Sequence, residues 1–374
     1  MAERFSPSGM DRTWRLLDRW IEEDRCPAVG AVIGSSQEVS AAKLVGRQRV
    51  QGNEPIRDDA IFLIASPTKP VVAMALMLLV ERGEVLLADR IDRYVPRFGR
   101  HRKRAITVRH CLTHTSGLPD MVPGNTELRA EGAPLSEFLG RILELKPDFK
   151  AGHSVQYQST GFLLLSEVIR KVSGQELPEF LRQNVLEPLG MRDTTLGMPP
   201  EWEQAEQPRV ERIAEIRLSR DEHGNSSCWN TPYWRRLGAP WGGLLSTPAD
   251  LGRLCQHLLG IHAGQEGILS PAAVEAMTTN QLHSMPDVPE SDRRAQAWGL
   301  GWRMNWPAHA SSFGDLLSSR AYGHWGATGT MVWIDPARDA FAVLLSTEPL
   351  DTGAQNTGFN RLASFSNSVC AAIR

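Results

Sequence analysis

Strand signals stand at the two ends of this 374-residue chain, and the stretch between them reads mostly helical. Near the start, residues 28–34 and 39–46 flank the turn-like Ser35-Ser36-Gln37-Glu38, a β-hairpin by composition. Near the end, Gly299 to Met304 precedes runs at 327–334 and 340–347, the last two joined by the turn Asp335-Pro336-Ala337-Arg338-Asp339. An amphipathic helix lies beside each group: Trp14, Leu17 and Ile21 fall at i, i+3 and i+7 within Asp11 to Asp24, and Leu362, Phe365, Val369 and Ile373 repeat the pattern. The middle, about 66–260, holds helical runs such as Gly161 to Val172 and Ala249 to Leu259. The ends are therefore expected to share one antiparallel sheet flanked by the terminal helices. This is an α+β fold: residues 10–65 and 260–374 make the sheet domain, 66–259 an inserted, mainly helical domain, and the cleft between them is the natural site. The Pro-rich stretch Ser284 to Gln296 and the Trp-rich segment 229–241 read as long loops near that cleft.

Within this plan Ser66-Pro67-Thr68-Lys69 runs straight into the apolar stretch Val71 to Val80. A serine and a lysine three residues apart at a helix start stand on one face, so the amine can take the hydroxyl's proton. Spacing alone proves little, because six lysines and 27 serines in a chain of this length give roughly 0.4 such matches by chance. A second match, Ser40-Ala41-Ala42-Lys43, lies in the second strand of the expected hairpin. Residues i and i+3 of a strand point to opposite faces, so Ser40 and Lys43 cannot cooperate.

Composition narrows the remaining classes. The chain is 41% hydrophobic with a formal net charge of -2, enough to bury a large core and too balanced for a polyanion binder. The one basic run, Arg100-His101-Arg102-Lys103-Arg104, has no interleaved aromatic residues and reads as a solvated loop, so no nucleic-acid partner is expected. Cys26, Cys111, Cys228, Cys255 and Cys370 are odd in number and widely spaced, which reads as reduced thiols and a cytoplasmic setting. Met1 to Pro7 lacks an apolar signal core, and the run 70–80 is about half of the ~20 residues that span a bilayer, so no membrane anchor is expected.

Further segments stand around the serine–lysine pair: Tyr157-Gln158-Ser159 before an apolar helix, His324-Trp325-Gly326 opening a strand, and His114-Thr115-Ser116-Gly117-Leu118. Leu186-Glu187-Pro188-Leu189-Gly190-Met191 and Gly242-Gly243-Leu244-Leu245-Ser246-Thr247 lie behind them. Together, from about residue 15 to 370, they resemble the serine β-lactamase-like superfamily, which includes penicillin-binding DD-peptidases, D-aminopeptidases and family VIII carboxylesterases. The resemblance implies a β-lactamase/transpeptidase-like fold, with Ser66 as acylated nucleophile, Lys69 as its proton acceptor and Tyr157 as the proton shuttle. It assigns the oxyanion hole to the backbone amides of Ser66 and Ala327, and substrate contacts to Ser159, Trp325, Gly326 and Trp241. Gly326 is expected to let the substrate approach its strand closely.

A tyrosine base near neutrality must sit roughly 2–3 pH units below its ordinary value of ~10. A lysine cation ~4 Å away at an effective dielectric of ~20 supplies about that much, so Lys69 and Tyr157 read as a coupled pair, with the holder of the proton left open. Two departures from the family pattern matter. Pro70 has no N–H, so if Ser66 is the N-cap its carbonyl loses the first helical bond and the first turn is expected to distort. His324 stands where penicillin-recognising members usually carry lysine, which favours esters or uncharged amides over β-lactams.

Competing readings are weaker. Tyr157, His324 and Ser159 have ordinary roles as a core tyrosine, a strand histidine and a helix cap, and the ordered set overrides these. His110 and His114 have the i, i+4 spacing of a zinc helix without its glutamate, and they read as structural, so neither metal nor cofactor is expected. Trp229, Trp234, Trp241, Trp298 and Trp325 are candidates to line an acyl pocket. No G-x-S-x-G occurs, which excludes an α/β-hydrolase elbow. The sequence thus predicts a serine hydrolase, a carboxylesterase on small acyl esters. An amidase, D-aminopeptidase-type peptidase or weak β-lactamase at the same site is the nearest alternative, and a catalytically silent binding or assembly module the alternative from another class.

Overall fold

The computed structural model describes residues 4–204, 206, 208–218, 228–305, 313–350 and 357–374; Met1 to Glu3 of the N-terminal segment read above lie outside them. Nine strands are described: β1 (Ala28–Gly34), β2 (Lys43–Gly46), β3 (Phe62–Leu63), β4 (Thr195–Leu196), β5 (Leu244–Ser246), β6 (Arg303–Met304), β7 (Tyr322–Gly326), β8 (Thr330–Asp335) and β9 (Ala340–Ser346). The described helices longer than ten residues are α1 (Pro7–Glu22), α2 (Thr68–Glu81), α3 (Thr160–Ser173), α4 (Pro248–His262) and α5 (Thr357–Cys370).

Both ends of the chain meet in one six-stranded antiparallel sheet of order β2-β1-β9-β8-β7-β6. The join is the β1–β9 pair, from Val29 opposite Ser346 to Gly34 opposite Phe341. Period-two alternation sorts each strand between two cores. Phe341, Val343 and Leu345 of β9 join the large core beneath α4, whereas Ala340, Ala342 and Leu344 join the smaller core under α1 and α5. Because both faces are covered, β1 and β9 are buried along their whole length. A small three-stranded sheet of order β3-β5-β4 lies apart from the large one.

Helix α1 starts at Ser6, whose hydroxyl accepts from the Gly9 N–H, with Pro7 in the first position. Its buried face is Met10, Thr13, Leu17 and Trp20, so Trp14 and Ile21 of the expected stripe lie at its margin and are only partly covered. Helix α2 is buried on every side from Thr68 to Leu79, as a helix without a polar face must be. Strand β6 is shorter than the expected 299–304, because Gly301 at φ +78° and the bond from Gly299 N to Trp302 O make a turn there. The expected loops contain helices, Pro232–Leu237 and Glu290–Ala295. Their prolines sit at a first helical position and an N-cap, where proline starts helices rather than breaking them. Helix α4 packs on β1, β8 and β9, and the boundary expected at 259 falls inside it.

Candidate active site

Small-sheet bonds hold the turn before α2. The Ile64 N–H donates to Leu244 O at 3.0 Å, and Ala65 takes φ +54°, the left-handed conformation that turns the chain out of β3. The Thr68 backbone N–H and hydroxyl both donate to Ala65 O, at 2.9 and 2.7 Å, and the hydroxyl accepts from Leu244 N at 3.1 Å. Pro67 is the N-cap, so Pro70 is the third helical residue, where an N–H has no intrahelical acceptor to lose. The Ser66 carbonyl accepts from Lys69 N at 2.9 Å. The distortion expected from Pro70 is therefore absent.

Lys69 is fully buried, its Nζ 3.3 Å from Ser66 Oγ and 2.8 Å from Trp241 O. Burial drags its pKa down to about 7, with the Asp120 carboxylate pulling the other way. A lysine in this condition is a neutral amine for much of the time at neutral pH, and a neutral amine can accept the hydroxyl's proton.

Tyr157 is aimed by the histidine motif. The His114 carbonyl accepts from Gln156 N at 2.9 Å and its Nδ1 from Gln158 N at 3.0 Å, while its ring stacks on the tyrosine at a centroid distance of 4.7 Å. The Ser116 hydroxyl donates to the Gln158 side chain at 2.6 Å. Lys69 Nζ is 4.7 Å from the centre of the Tyr157 ring, and the Ser66 side chain acts on the phenol. Burial raises the phenol's pKa, Asp120 adds to the rise, and Ser66 and Arg303 oppose it. The depression that a tyrosine base requires is thus not found. It presupposed a charged lysine, and burial weakens that charge first. The site therefore holds an amine with a lowered pKa beside a phenol that keeps its proton.

Strand β7 ends, rather than begins, with His324-Trp325-Gly326. Since β6 pairs only with Tyr322 and Gly323, the last three residues form a free edge on that side. His324 is 2% exposed, and its Nδ1 lies 2.7 Å from Trp325 O. Burial first, then Lys69 and Arg303, bring its pKa down to about 3, so it is a neutral imidazole. Gly326 is required for a different reason from the one expected: a Cβ there would meet Ile64 O at 2.3 Å and Thr330 Oγ1 at 2.4 Å. The protein's own backbone makes the close approach. The Thr328 and Thr330 hydroxyls donate to Leu63 O and Ile64 O at 2.9 and 2.6 Å, fastening the turn after β7 to the segment before Ser66. Ala327, in that turn, is exposed.

These elements border a cavity of about 390 Å³, lined by Ser66, Tyr157, Ser159, Trp241, Trp325 and Ala327 among the expected residues. Lys69, His324 and Gly326 sit behind its wall rather than on it. Ser159 is the backbone N-cap of α3 with no side-chain cap bond, which leaves its hydroxyl to the cavity. Trp229 and Trp234 also line it, whereas Trp298 stands outside, edge-on to His114 at 4.1 Å. Three charged lining residues escaped the sequence reading: Asp120, Arg129 and Arg303. Asp120 lies two residues past the histidine motif and Arg303 inside an expected strand, so proximity to a motif was the only signal available. The His110 ring is used at a helix start with Thr107, and among the described residues no group of three or more His, Cys, Asp or Glu could hold a metal.

The beta-lactamase family model matches residues 15–364, and the chain belongs to that family. It is a hydrolase of the beta-lactamase fold. The D-alanyl-D-alanine-carboxypeptidase/endopeptidase AmpH of Escherichia coli (strain K12) is 30% identical over 280 residues, 72% of this chain and 67% of the relative. Esterase EstB of Burkholderia gladioli is 31% identical over 194 residues, 48% of this chain and 49% of the relative. The crystal structure of a penicillin-binding protein homologue from Caulobacter crescentus superposes with a TM-score of 0.75 over 97% of this chain and 98% of that one at 20% identity, a likeness of fold. Among the described residues no helix is long and apolar enough to cross a membrane.

Proposed function

We propose that this protein is a carboxylesterase that hydrolyses small acyl esters through an acyl-enzyme on Ser66. The observation that carries this reading is the buried Lys69 amine, 3.3 Å from the Ser66 hydroxyl and with its pKa brought to about 7, behind an aromatic cavity onto which Ser66 opens. Neutral Lys69 takes the Ser66 proton as Oγ attacks the ester carbonyl. The tetrahedral oxyanion forms against the backbone N–H groups of Ser66 and Ala327. Tyr157 gives its phenolic proton to the departing alkoxide and is reprotonated from the Lys69 ammonium, so the lysine ends neutral. A water then enters along the same relay in reverse, releasing the acid and restoring the serine.

The ester preference is supported by His324. A neutral, buried imidazole replaces a cation at the edge of β7 and offers nothing to a carboxylate on the leaving group. The second reading, a D-amino-acid amidase or peptidase, is favoured by the name of the Escherichia coli relative. A substrate panel separates them: p-nitrophenyl butyrate, D-alanine p-nitroanilide and nitrocefin, compared by kcat/KM. The ester should lead, and an anilide or β-lactam cleaved faster than the ester would overturn the assignment.

A further inference from the structure

Met121, Ser159 and Trp241 line the cavity that Ser66 borders, and the same three residues line a second, much smaller one of about 10 Å³ behind them, closed by Val122, Phe138, Ile142 and Leu163. Phe138 and Ile142 are the buried residues of the helix Leu135–Glu144, one turn apart on its inner face, and Leu163 lies in the first turn of α3. The polar side chains at this slot are Ser159 and Thr160, and the Thr160 hydroxyl donates to Pro119 O at 2.7 Å. A space of this size is at the lower limit for one water and gives it too few partners, so it stays dry. The backbone in front of the slot is pinned, because the Ser159 and Thr160 N–H groups both donate to Asp120 O, at 3.0 and 3.1 Å. Phe138 backs the Trp241 ring at a centroid distance of 5.7 Å. Met121 is the adaptable part of the wall: its unbranched side chain is only partly buried, and its Sδ accepts from Arg129 Nη2 at 3.8 Å, a weak bond.

We propose that this apolar slot receives the end of the substrate's acyl chain, with Met121 as the side chain that swings aside to admit it and Ile142 as the residue that sets how long a chain fits. The substrate class is then esters of straight-chain fatty acids rather than of branched or aromatic ones. A methylene chain is narrow and asks for no hydrogen bond, which matches a slot between two helices walled by buried apolar side chains. The acyl group, rather than the alcohol, belongs there. The alcohol departs while the acyl group stays bonded to Ser66, and the water that releases the acid must come in on the side that the alcohol has vacated. A closed slot offers neither an exit nor an entry, so it suits the half of the ester that remains until the second step.

This inference rests on the esterase reading, and varying the two halves of the ester tests them separately. Across p-nitrophenyl acetate, butyrate, hexanoate, octanoate and decanoate, kcat/KM should climb about fourfold for each methylene that enters the slot and fall once it is full. Ile142→Phe, which fills the slot from behind, should move the optimum at least one ester of the series shorter, and Ile142→Ala, which deepens it, at least one longer. Each optimum is read within one protein sample, so a partly folded variant does not shift it. Alkyl butyrates of rising alcohol length, followed by titration of the released acid, should give the same profile in the wild type and both variants. A wild-type series that falls steadily from acetate, an optimum that stays put in both variants, or a variant that moves the alcohol profile instead of the acyl one would overturn the slot while leaving the esterase standing. Hydrolysis of none of these esters would overturn both.

Discussion

Two stretches of this chain carry a serine followed three residues later by a lysine, and the fold places them in opposite circumstances. Lys43 opens β2 with its side chain 31% exposed and paired to Asp18 at 2.8 Å, while the Ser40 hydroxyl accepts the Ile33 N–H at 3.1 Å. Lys69 lies in the first turn of the most enclosed helix, sealed from water and 3.3 Å from a hydroxyl that borders a cavity. The letters are the same. On the proposed reading, what makes one pair reactive is a helical start, which sets both groups on one face, and burial, which lowers the amine's pKa.

The comparison is broken or sharpened most strongly by removing the nucleophile. Ser66→Ala should lower ester kcat by about 10⁴-fold or more, measured with p-nitrophenyl butyrate, and residual turnover near the wild-type rate would place the chemistry elsewhere. Lys69→Met should cost about 10³–10⁴-fold in kcat and yet raise thermal stability, because a buried cation is replaced by an apolar chain of similar length. The sign follows from linkage. The folded-state pKa of about 7 lies below the unfolded lysine value, so the unfolded chain binds the extra proton between the two and wild-type stability rises with pH across that window. The gain in Lys69→Met, roughly 1–4 kcal/mol, should therefore be largest below pH 7 and fade toward pH ~10. Calorimetry at two pH values checks it.

Tyr157→Phe should lose about 10²–10³-fold, since general acid assistance goes while the phenol's packing on His114 stays. In the wild type, kcat/KM should rise with pH through about 7 and then level off, the inactive form being protonated Lys69. A rate independent of pH from 5 to 9 would contradict the amine as base. At the small end, Ser40→Ala and Lys43→Ala should leave turnover unchanged, and loss of the Lys43–Asp18 pair should cost less than about 1 kcal/mol by denaturant melting.

Much of this arrangement was legible in the sequence because it rests on local pattern. Strand runs at 28–34 and 340–347, the apolar run after Lys69 and the helix after Ser159 each show their period or composition directly. The single-sheet join followed from where the strands fall along the chain. Less legible were properties set by the surroundings. The ionisation of Lys69, Tyr157 and His324 depends on burial that no spacing encodes, so the sequence left open which of Lys69 and Tyr157 holds the proton. Gly326 was singled out for a close approach by substrate, whereas the group that lies against it, Ile64 O, comes from a segment 262 residues earlier. Asp120, Arg129 and Arg303 reach the cavity from three separate segments with no motif of their own. The prolines misled twice, at Pro70 and in the stretch Ser284 to Gln296, because a proline's effect depends on its position within a helical turn.

The central claim is that Ser66 alone, through Lys69 and Tyr157, is the activated alcohol of this chain. Treatment with a fluorophosphonate ester, followed by intact mass and peptide mapping, tests it most directly. One phosphonyl group should appear, on Ser66, with a labelling rate that climbs as pH passes 7 and with none on Ser66→Ala. Absence of an adduct, or an adduct on Ser40 or any other residue, would contradict it.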